Sequence, residues 1–539
     1  MKVLLIFSGF LLWINGKVYS QVASGADVQK IAIRDGEKWF GGAVNEGHNM
    51  PFAEGYSLNL YGDNKGNQSA PLLLSTKGRF VWSEEPFQFV LENNQLIITK
   101  AFGKIILDSN GHSLPEAFKA ASKKFFPPSG LFPDTLLFSR PQYNTWIELV
   151  YNQNQEDILK YARSIIDNGF PPGVLMIDDN WADYYGKFSF RKDRFSDPAK
   201  MVDELHNMGF KVMLWVCPFI SPDTEVFREL MGKKLVLFDN ENDNNADWQK
   251  ASKPAIINWW NGYSAVLDFT NPETINWYHA QLDSMVNRYG INGFKFDGGD
   301  MEYYPPNVLP YKKATPNQQC ELWGIFATYY PLNEYRAMWK RGGQPLVERL
   351  RDKRHNWEDV QKLIPHTITA GLLGYQFTCP DMIGGGEYGS FTGNDKLDAD
   401  LVVRSAQISA LMPMMQFSVA PWRVLNKEYL NAVKKAVEIR MKYTPYIIQM
   451  VKESAKSGEP IVRSLEYAFP NQGYEIIKDQ FMLGPKYMVA PVVEKTYRRK
   501  VVFPKGTWVD DEGRRIHGPV VTEIEVPLGR LPVFERVKK

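Results

Sequence analysis

The sequence predicts an α/β protein in which a (β/α)8 TIM barrel is flanked by an N-terminal β-sandwich and a C-terminal β-domain. This fold class rests on changes of pattern along the 539 residues. Residues 21–135 hold short alternating runs, residues 136–445 alternate apolar runs with amphipathic helices, and residues 446–539 return to alternating runs. Strands that alternate with helices predict a parallel sheet with right-handed crossovers, and about six or more such units favour a closed barrel.

The first twenty residues have the pattern of a secretory signal peptide. Lys2 precedes an apolar run of 12 residues from Val3 to Ile14, and small and polar residues follow as far as Ser20. The run is too short to cross a bilayer, which takes about 20 apolar residues, and the alternative is a buried first strand. We therefore expect residues 1–20 to be cleaved, and the mature protein to be secreted or periplasmic with no membrane span.

The two β-regions are predicted from alternation with a period of two. Residues 79–107, RFVWSEEPFQFVLENNQLIITKAFGKIIL, alternate apolar and polar side chains and are punctuated by Asn, Gly and Pro. In the C-terminal region, residues 461–469 (IVRSLEYAF) and 500–511 (KVVFPKGTWVDD) have the same texture. Both regions are therefore expected to form antiparallel sheets.

The central region supplies candidate barrel strands that often end in a charged or aromatic residue. Helix patterns that end in Gly lie between them, for example at residues 156–169 and 198–209. The carboxyl ends of barrel strands form the catalytic face, so we expect these terminal side chains to line a site. The candidate strands are WIELVY (146–151), GVLMID (173–178), KVMLWV (211–216), GFKFD (293–297), PLVER (345–349) and GYQF (374–377).

Composition and short motifs argue against several classes of protein. The 63 Lys and Arg residues nearly balance the 61 Asp and Glu residues, which argues against a nucleic-acid-binding protein. The three cysteines form no CxxC pair and the seven histidines form no HExxH pattern, so no metal-site motif is present. The aromatic content of 14% suits stacking on sugar rings and suits aromatic β-cores equally well. We expect neither a metal nor a cofactor.

Carboxylates stand at the ends of several predicted strands. Asp297 ends the run GFKFD and precedes two glycines, which would let a ligand approach the backbone; the alternative is that Asp297 caps the next loop. Glu358 and Asp359 precede a predicted helix that either of them could cap. The other carboxylates that follow apolar runs are Asp178, Asp179 and Asp381.

Convergence of these carboxylates on one barrel face would indicate a functional site, because like charges repel and raise one another's pKa. Metal sites and glycosidase sites both use such clusters. The neighbouring aromatic residues and the cations of Arg349 and Lys295 favour a sugar site. Glycoside cleavage needs one ionised carboxylate and one that holds a proton, and proton donation contributes roughly 10²–10⁴-fold in rate.

Several of these motifs resemble glycoside hydrolase family 31, over residues 141–539. The resemblance is carried by DFTNPETINWY (268–278), by KFDGGD (295–300) and by the C-terminal strings from PIVRSLEYAFP (460–470) to PLGRLPVFER (527–536). Within the family, the chain is most similar to the α-galactosidase branch, which includes the myogenesis-regulating glycosidase. The motifs that carry this finer resemblance are IDDNW (177–181), PDMIGGG (380–386) and MQFSVAPW (415–422).

The resemblance implies roles for individual residues. Asp297 is the expected catalytic nucleophile and Asp359 the expected general acid/base, with Glu358 as the alternative for the second role. Gly298, Gly299 and Asp300 stand where many family members carry Met-Asn-Glu, and Phe417 or Ser418 stands where α-glucosidases carry His. The expected substrate-binding residues are Asp178, Asp381, Arg349, Trp260, Lys295, Trp181, Trp146 and Trp215.

The function implied by this resemblance is that of a retaining exo-acting α-glycosidase that hydrolyses terminal α-galactosides, with no metal or cofactor. The expected partner is an oligosaccharide or glycoside substrate. Two alternatives remain open at this point: an α-glucosidase or α-xylosidase of the same family, and a non-catalytic carbohydrate-binding protein on the same fold.

Overall fold

The structure, a computed structural model, describes residues 28–240, 247–392 and 397–537. The predicted signal peptide lies outside the described residues. Within these described ranges, no helix combines the length and the apolar character that crossing a bilayer requires.

The N-terminal part consists of two antiparallel sheets. One sheet has the strand order β1-β7-β6-β3, and in the other β4 pairs with β2 and β5 while β5 also pairs with β8. Every residue of β2, β4 and β5 is buried, so these three strands are covered on both faces, whereas the edge strand β8 is mostly exposed. The strands are β1 (Gln29–Ala32), β2 (Trp39–Ala43), β3 (Ser57–Asn59), β4 (Gln68–Ser75), β5 (Arg79–Trp82), β6 (Phe87–Glu92), β7 (Gln95–Ala101) and β8 (Ile106–Ser109).

The central region holds eight short strands that form one parallel sheet, together with smaller strands in the loops. The strands of the region are β9 (Gln142–Asn144), β10 (Val174–Ile177), β11 (Lys211–Val216), β12 (Phe219–Ile220), β13 (Phe238–Asp239), β14 (Ile256–Trp259), β15 (Gly262–Val266), β16 (Gly293–Phe296), β17 (Val308–Leu309), β18 (Asn333–Tyr335), β19 (Met338–Trp339), β20 (Val347–Arg349), β21 (Phe377–Cys379) and β22 (Gln416–Phe417).

The eight-stranded sheet is a nearly closed barrel. Its order, β21-β20-β18-β16-β11-β10-β9-β22, follows the chain order once β22 is placed beside β9. A parallel bridge between Met382 and Gln416 joins the two ends of the sheet, so β22 at one end lies close to β21 at the other. The predicted TIM-like barrel is confirmed.

The helices cover the outside of the barrel and connect its strands. Asn154, Asp197, Asn271 and Asn356 cap the helices that follow them by accepting a backbone N–H, as short polar side chains do at helix starts. The helices are α1 (Leu114–Phe125), α2 (Leu136–Ser139), α3 (Trp146–Leu149), α4 (Gln155–Asp167), α5 (Pro198–Asn207), α6 (Glu225–Gly232), α7 (Pro272–Tyr289), α8 (Pro316–Ala327), α9 (Trp357–Leu372), α10 (Ala399–Ala410), α11 (Pro421–Val424), α12 (Lys427–Ser457) and α13 (Leu465–Ala468).

The prediction of a strand over residues 146–151 is wrong, because α3 begins at Trp146 and the strand is β9. The interior of the barrel is polar at this point, so an apolar run does not mark the strand. Gln416 Nε2 donates to Gln142 Oε1 at 2.8 Å and to Glu334 Oε2 at 2.7 Å, and all three side chains are buried. Strand β18, which carries Glu334, is missed for the same reason.

The C-terminal part is a six-stranded antiparallel sheet with the order β23-β24-β25-β28-β26-β27. It has its own core, which includes Phe469, Trp508 and Phe534. The boundary predicted between residues 445 and 446 falls inside helix α12, which runs continuously through Pro445. The strands are β23 (Val462–Arg463), β24 (Phe481–Leu483), β25 (Tyr487–Val489), β26 (Arg498–Val509), β27 (Arg515–Glu525) and β28 (Val533–Val537).

One 3₁₀ turn of the N-terminal part, Val44–Asn49, packs directly on helix α9 of the barrel. Gly47 makes this close approach possible, because a Cβ atom there would lie 2.5 Å from the carbonyl oxygen of Pro365 and 2.6 Å from Thr369 Oγ1. The next residue, His48, places its Nδ1 3.0 Å from Nε2 of His366 on α9. The turn therefore delivers His48 to the barrel.

Replacing Gly47 by Ala should destabilise the protein, because the new methyl group meets backbone atoms of α9 that cannot move without shifting the helix. We expect a loss of about 1–3 kcal/mol in the free energy of unfolding, measured by denaturant or thermal unfolding. Gly232→Ala is the matched control, since nothing lies within 4 Å of a Cβ built there. Equal stability of the two variants would contradict the close packing.

Candidate active site

A cavity of about 670 Å³ opens at the carboxyl ends of the barrel strands. Strands β10, β16, β18 and β20 each contribute their last residue or one that follows closely, and β11 contributes its penultimate residue, Trp215. The N-terminal turn contributes Asn45 and His48. The predicted site residues that line this cavity are Asp297, Asp359, Glu358, Asp178, Arg349, Trp260, Lys295, Trp146 and Trp215.

Asp297 follows the last residue of β16 and is held in place on both carboxylate oxygens. Trp215 Nε1 donates to Oδ2 at 2.7 Å, and the backbone N–H of Gly298 donates to Oδ1 at 2.9 Å. Burial alone would raise the pKa of Asp297, but the charges of Lys295, Arg336 and Arg349, with the Trp215 hydrogen bond, outweigh it and lower the pKa to about 2. Asp297 is therefore an ionised carboxylate inside the cavity at neutral pH.

The glycines after Asp297 serve packing rather than ligand access. Both have left-handed backbone angles, with φ of 65° at Gly298 and 70° at Gly299. A Cβ on Gly298 would lie 2.7 Å from the Phe219 ring, and one on Gly299 would overlap the Trp323 ring. The expectation that they open a path for a ligand is therefore wrong, since these rings fill the space beside them.

Lys295 is the cation at the centre of the site. Strand pairing places Trp215, Lys295 and Glu334 side by side on β11, β16 and β18. The Lys295 ammonium lies 2.8 Å from Asp178 Oδ2 and 3.7 Å from Asp297 Oδ2, with the side chain only 5% exposed. Desolvation lowers the pKa of Lys295, but the charges of Asp178 and Asp297 exceed this effect and raise it. The charged form of Lys295 thus depends on these two carboxylates.

Arg336 was not predicted as a site residue, and it connects Asp297 to the rim. It follows the last residue of β18, and its Nε lies 2.9 Å from Asp300 Oδ2 and 3.8 Å from Asp297 Oδ1. Its guanidinium lies over the Trp260 ring, 4.9 Å from the centroid. Asp300, one of the departures from the family pattern, therefore positions a cation beside the candidate nucleophile. Recognising strand β18 would have marked Arg336 as a strand-end residue.

Arg349 ends β20 and contacts three carboxylates, of which Glu334 Oε1 lies 3.5 Å from its Nε. Its Nη1 lies 2.5 Å from Asp352 Oδ1 and 2.8 Å from Asp381 Oδ1. Asp352 lines the cavity with its side chain 32% exposed, whereas Asp381 is fully buried behind Arg349 and does not line it. Burial raises the pKa of Asp381 to about 7, although the charge of Arg349 acts in the opposite direction. Asp381 therefore contacts Arg349 on the side away from the cavity, whereas the sequence predicted that Asp381 would contact a sugar directly.

Asp359 lies in the first turn of α9, and its carboxylate is occupied by local partners. Oδ2 accepts the backbone N–H of Arg354 at 2.8 Å, and Oδ1 lies 2.8 Å from Lys362 Nζ. Burial would raise the pKa of Asp359, but these two contacts lower it overall. Glu358 contacts the same ammonium at 2.8 Å, and its side chain is 79% exposed. Both carboxylates therefore belong to a helix-start cluster at the edge of the cavity.

Asp179 is a buried carboxylate of the cavity whose side-chain hydrogen-bond donors are neutral. Tyr185 donates to Oδ2 at 3.1 Å and Asn261 Nδ2 donates at 2.6 Å, while Oδ1 has no partner among the described residues. Burial and the neighbouring charge of Asp178 raise the pKa of Asp179 to about 7. It therefore carries a proton up to nearly neutral pH.

Aromatic side chains form two sides of the cavity rim. Trp260 and Tyr303 lie with ring centroids 5.7 Å apart on one side, and Trp146 contacts Tyr151 and Tyr388 at 5.4 and 5.9 Å on the other. Trp181 does not line this cavity: its Nε1 donates to the Trp215 carbonyl at 2.8 Å, and its ring lines an adjoining cavity of about 180 Å³. Flat rings around a polar floor suit a sugar ring.

Comparisons with known proteins give a consistent result. The family profile described as "Glycosyl hydrolases family 31 TIM-barrel domain" matches residues 137–450, and "Glycosyl hydrolase family 31 C-terminal domain" matches residues 458–538. The chain is 31% identical to the myogenesis-regulating glycosidase of Mus musculus over 75% of this chain and 57% of that protein. It is 24% identical to alpha-glucosidase 2 of Bacillus thermoamyloliquefaciens over 71% of this chain and 50% of that enzyme. The chain thus spans little more than half of these relatives.

Solved structures share the fold. A family 31 dextranase of Flavobacterium johnsoniae complexed with glucose superposes with a TM-score of 0.83 and 20% identity, covering 94% of this chain and 66% of that one. An α-xylosidase from a soil metagenome complexed with xylose gives 0.81 and 20%, covering 94% and 79%. At these identities the likeness concerns the fold alone.

Replacing Asp179 by Asn should change the pH dependence of stability. The folded protein keeps Asp179 protonated up to about pH 7, whereas in the unfolded chain the group ionises near its ordinary value of 3.8. Wild-type stability should therefore fall between about pH 4 and pH 7 because of this residue, and Asn removes that loss. We therefore expect the melting temperature of the variant minus that of wild type to be higher at pH 8 than at pH 5.

The matched control for this measurement is Asp203→Asn on the exposed side of α5. Its difference from wild type should be the same at both pH values. A pH-independent difference for Asp179→Asn as well would show that Asp179 is ionised in the folded protein throughout this range.

Proposed function

The chain belongs to glycoside hydrolase family 31, and from that premise we propose that it is a retaining exo-acting α-glycosidase. The observation that carries this proposal is an ionised Asp297 in a cavity of about 670 Å³ with a second barrel-loop carboxylate, Asp352, on the same wall as Arg349. A cavity rimmed by aromatic rings suits the terminal unit of a glycan.

Asp297 acts as the nucleophile in this proposal. Its low pKa keeps it ionised, and the Trp215 and Gly298 hydrogen bonds fix both oxygens without neutralising the charge. Attack on the anomeric carbon would form a glycosyl–enzyme ester, which water then hydrolyses. The cations of Lys295 and Arg336 hold the carboxylate in place before attack.

We assign the acid/base role to Asp352 in place of the predicted Asp359. Asp352 lies in the loop directly after β20, and the charge of Asp297 acts on it. Burial and Asp297 raise its pKa while Arg349, Arg336 and Lys295 lower it, with a net lowering in the free enzyme. A bound glycan excludes water and favours the protonated form, and loss of the Asp297 charge in the ester then favours the ionised form. Asp352 would thus be protonated when the glycosidic bond breaks and ionised when water attacks the ester, as a group that serves first as acid and then as base must be.

We further propose terminal α-galactosides as the substrates, on the strength of IDDNW, PDMIGGG and MQFSVAPW. Phe417 or Ser418 stands where α-glucosidases carry His, and neither lines the cavity; Ser418 Oγ accepts the Ile147 N–H at 2.7 Å. α-Glucosides and α-xylosides are the alternative substrates, because curated relatives at 23–24% identity are named α-glucosidases and an α-xylosidase. On the pattern of residues 1–20, we also propose that the enzyme acts outside the cytoplasm.

Incubation with 4-nitrophenyl α-galactoside, α-glucoside and α-xyloside should release nitrophenol from the galactoside at the highest kcat/KM. Proton NMR during hydrolysis should show the α-anomer of the free sugar first, with the β-anomer appearing later by mutarotation, because two displacements retain configuration. A first product in the β form would contradict retention. Binding of the sugars without cleavage of any substrate would favour the non-catalytic alternative.

The two acid/base candidates can be separated by Asp352→Asn and Asp359→Asn. With a poor leaving group, Asp352→Asn should lose about 10²–10⁴-fold in kcat/KM, with a much smaller loss on a 2,4-dinitrophenyl glycoside, which needs little protonation. Azide should then attack the β-linked ester from the opposite face, displace Asp297, restore turnover and give the glycosyl azide of the α configuration. Asp297→Asn should lose on the order of 10³-fold or more on both substrates.

Asp359→Asn is the comparison that decides the assignment. It should behave like a mild structural variant, with equal effects on both leaving groups and no response to azide. If Asp359→Asn instead shows the leaving-group dependence and azide rescue, the original sequence prediction is restored and Asp352 is a binding residue.

A further inference from the structure

We propose that the wall formed by the loop between β20 and α9 binds an anionic group, a sulfate or a carboxylate, carried by the leaving part of the substrate. This inference rests on the proposed function and adds a substrate class to it. The wall is defined by Arg351, Lys353 and Arg354, with His366 of α9 behind them, and all four line the active-site cavity.

Lys353 is the central observation. Its side chain lies in the cavity wall with the residue only 5% exposed. The ammonium donates to the carbonyl oxygen of Arg351 at 2.6 Å, and no carboxylate lies within 4.0 Å of it among the described residues. A buried ammonium without a paired carboxylate is costly, and a bound anion would relieve that cost. Burial accordingly lowers the pKa of Lys353 to about 8.

The two arginines on either side of Lys353 add positive charge to the same wall. Arg351 Nη1 reaches the carbonyl of Lys65 at 3.5 Å, and neither Arg351 nor Arg354 has an ion pair within the part of the chain that the structure describes. Both side chains are exposed to the cavity, so they can turn toward a ligand. Arginine suits sulfate and carboxylate groups because its planar fork donates two parallel hydrogen bonds.

The neighbouring carboxylates do not neutralise this wall, because each has another partner. Asp381 and Asp352 contact Arg349, and Glu358 and Asp359 both contact Lys362. The carboxylate of Glu387, whose backbone N–H bonds the Lys353 carbonyl, accepts the N–H groups of Gly389 and Ser390. The positive charges of the loop therefore remain available.

The histidine pair supplies a further donor on this wall. His366 Nε2 and His48 Nδ1 share one hydrogen bond at 3.0 Å, which leaves His366 Nδ1 buried with no partner among the described residues. His366 is 1% exposed and lines the cavity. A ligand oxygen or a bridging water would accept a hydrogen bond from His366 Nδ1, because a neutral imidazole can carry its one N–H at this nitrogen.

The position of Asp352 places the anion on the leaving group. A proton donor must lie beside the glycosidic oxygen, so the aglycone passes the loop that carries it. Lys353 is the next residue in that loop, and the charges of Asp381, Asp359 and Asp352 act on its ammonium. The ionised Asp297 lies on β16, where the glycone must sit. The loop would therefore recognise an anionic group on the aglycone side of the glycosidic bond.

The test compares glycosides that differ only in the charge of the aglycone: the α-galactosides of 4-hydroxybenzenesulfonate, 4-hydroxybenzoate and 4-hydroxybenzamide. The neutral amide has a better leaving group than the carboxylate, so intrinsic reactivity works against the expected result. We expect kcat/KM about tenfold higher for at least one anionic glycoside than for the amide. The sulfonate and carboxylate arms show which anion is preferred, and the preference should shrink as salt is raised from low ionic strength.

Variants locate the effect. Lys353→Met and Arg354→Gln should each reduce the anionic-to-neutral ratio, by about tenfold and threefold, while Lys353→Arg should keep most of it. Lys160→Met, an exposed residue of α4, is the matched charge control and should leave the ratio unchanged. Arg354 is exposed, so its variant tests the wall even if Lys353→Met does not fold.

Calorimetric titration of Asp297→Asn with the same glycosides separates this inference from the proposed function. Tighter binding of an anionic glycoside, with the preference reduced by Arg354→Gln in the same background, supports the wall even if the wild type cleaves nothing. Cleavage of the neutral glycoside with equal binding and equal kcat/KM for all three would overturn the anion site and leave the glycosidase intact.

Discussion

The ion pair between Lys295 and Asp178 is the contact on which the site depends. A buried ammonium is stable only when anions compensate its lost hydration, and Lys295 has Asp178 at 2.8 Å and Asp297 at 3.7 Å. The same ammonium lowers the pKa of Asp297 and keeps it ionised. Removing Lys295 would leave two buried carboxylates without their shared cation, whereas the Lys295–Asp178 pair persists when Asp297 is neutralised. The same cluster of charges therefore keeps the nucleophile Asp297 ionised and stabilises the folded barrel.

The cluster continues into the barrel through one ion pair and two hydrogen bonds that also help to close it. Arg349 Nε lies 3.5 Å from Glu334 Oε1, and Gln416 joins Glu334 to Gln142. These residues belong to β20, β18, β22 and β9, so a polar network crosses the interior where many barrels hold Val, Ile and Leu. The charge of Glu334 attracts the Nε side of Arg349 while its Nη1 contacts Asp352 and Asp381, and these contacts together orient the guanidinium.

Much of the fold could be predicted from the sequence, because the alternation of apolar runs and helices is a local signal. The same signal failed at β9 and β18, whose side chains form the polar network, and Arg336 was missed with β18. The placement of Asp297, Asp178, Lys295 and Arg349 at the cavity follows from strand ends meeting at one barrel face. The position of Asp381 could not be read in this way, because its left-handed backbone (φ 95°) turns the side chain behind Arg349.

The choice between Asp352 and Asp359 shows what linear spacing cannot decide. Both residues follow Arg349 within ten positions, and only Asp359 stands beside a tryptophan, which made it the better match by pattern. In the structure, Asn356 caps α9 by accepting the Asp359 N–H, and the Asp359 side chain turns back to Arg354 and Lys362. A carboxylate at this position stabilises the helix start through the same dipole that would oppose its protonation. Asp352 precedes the helix, is free of that dipole, and shares the field of Asp297, which is what a proton donor that later becomes a base requires.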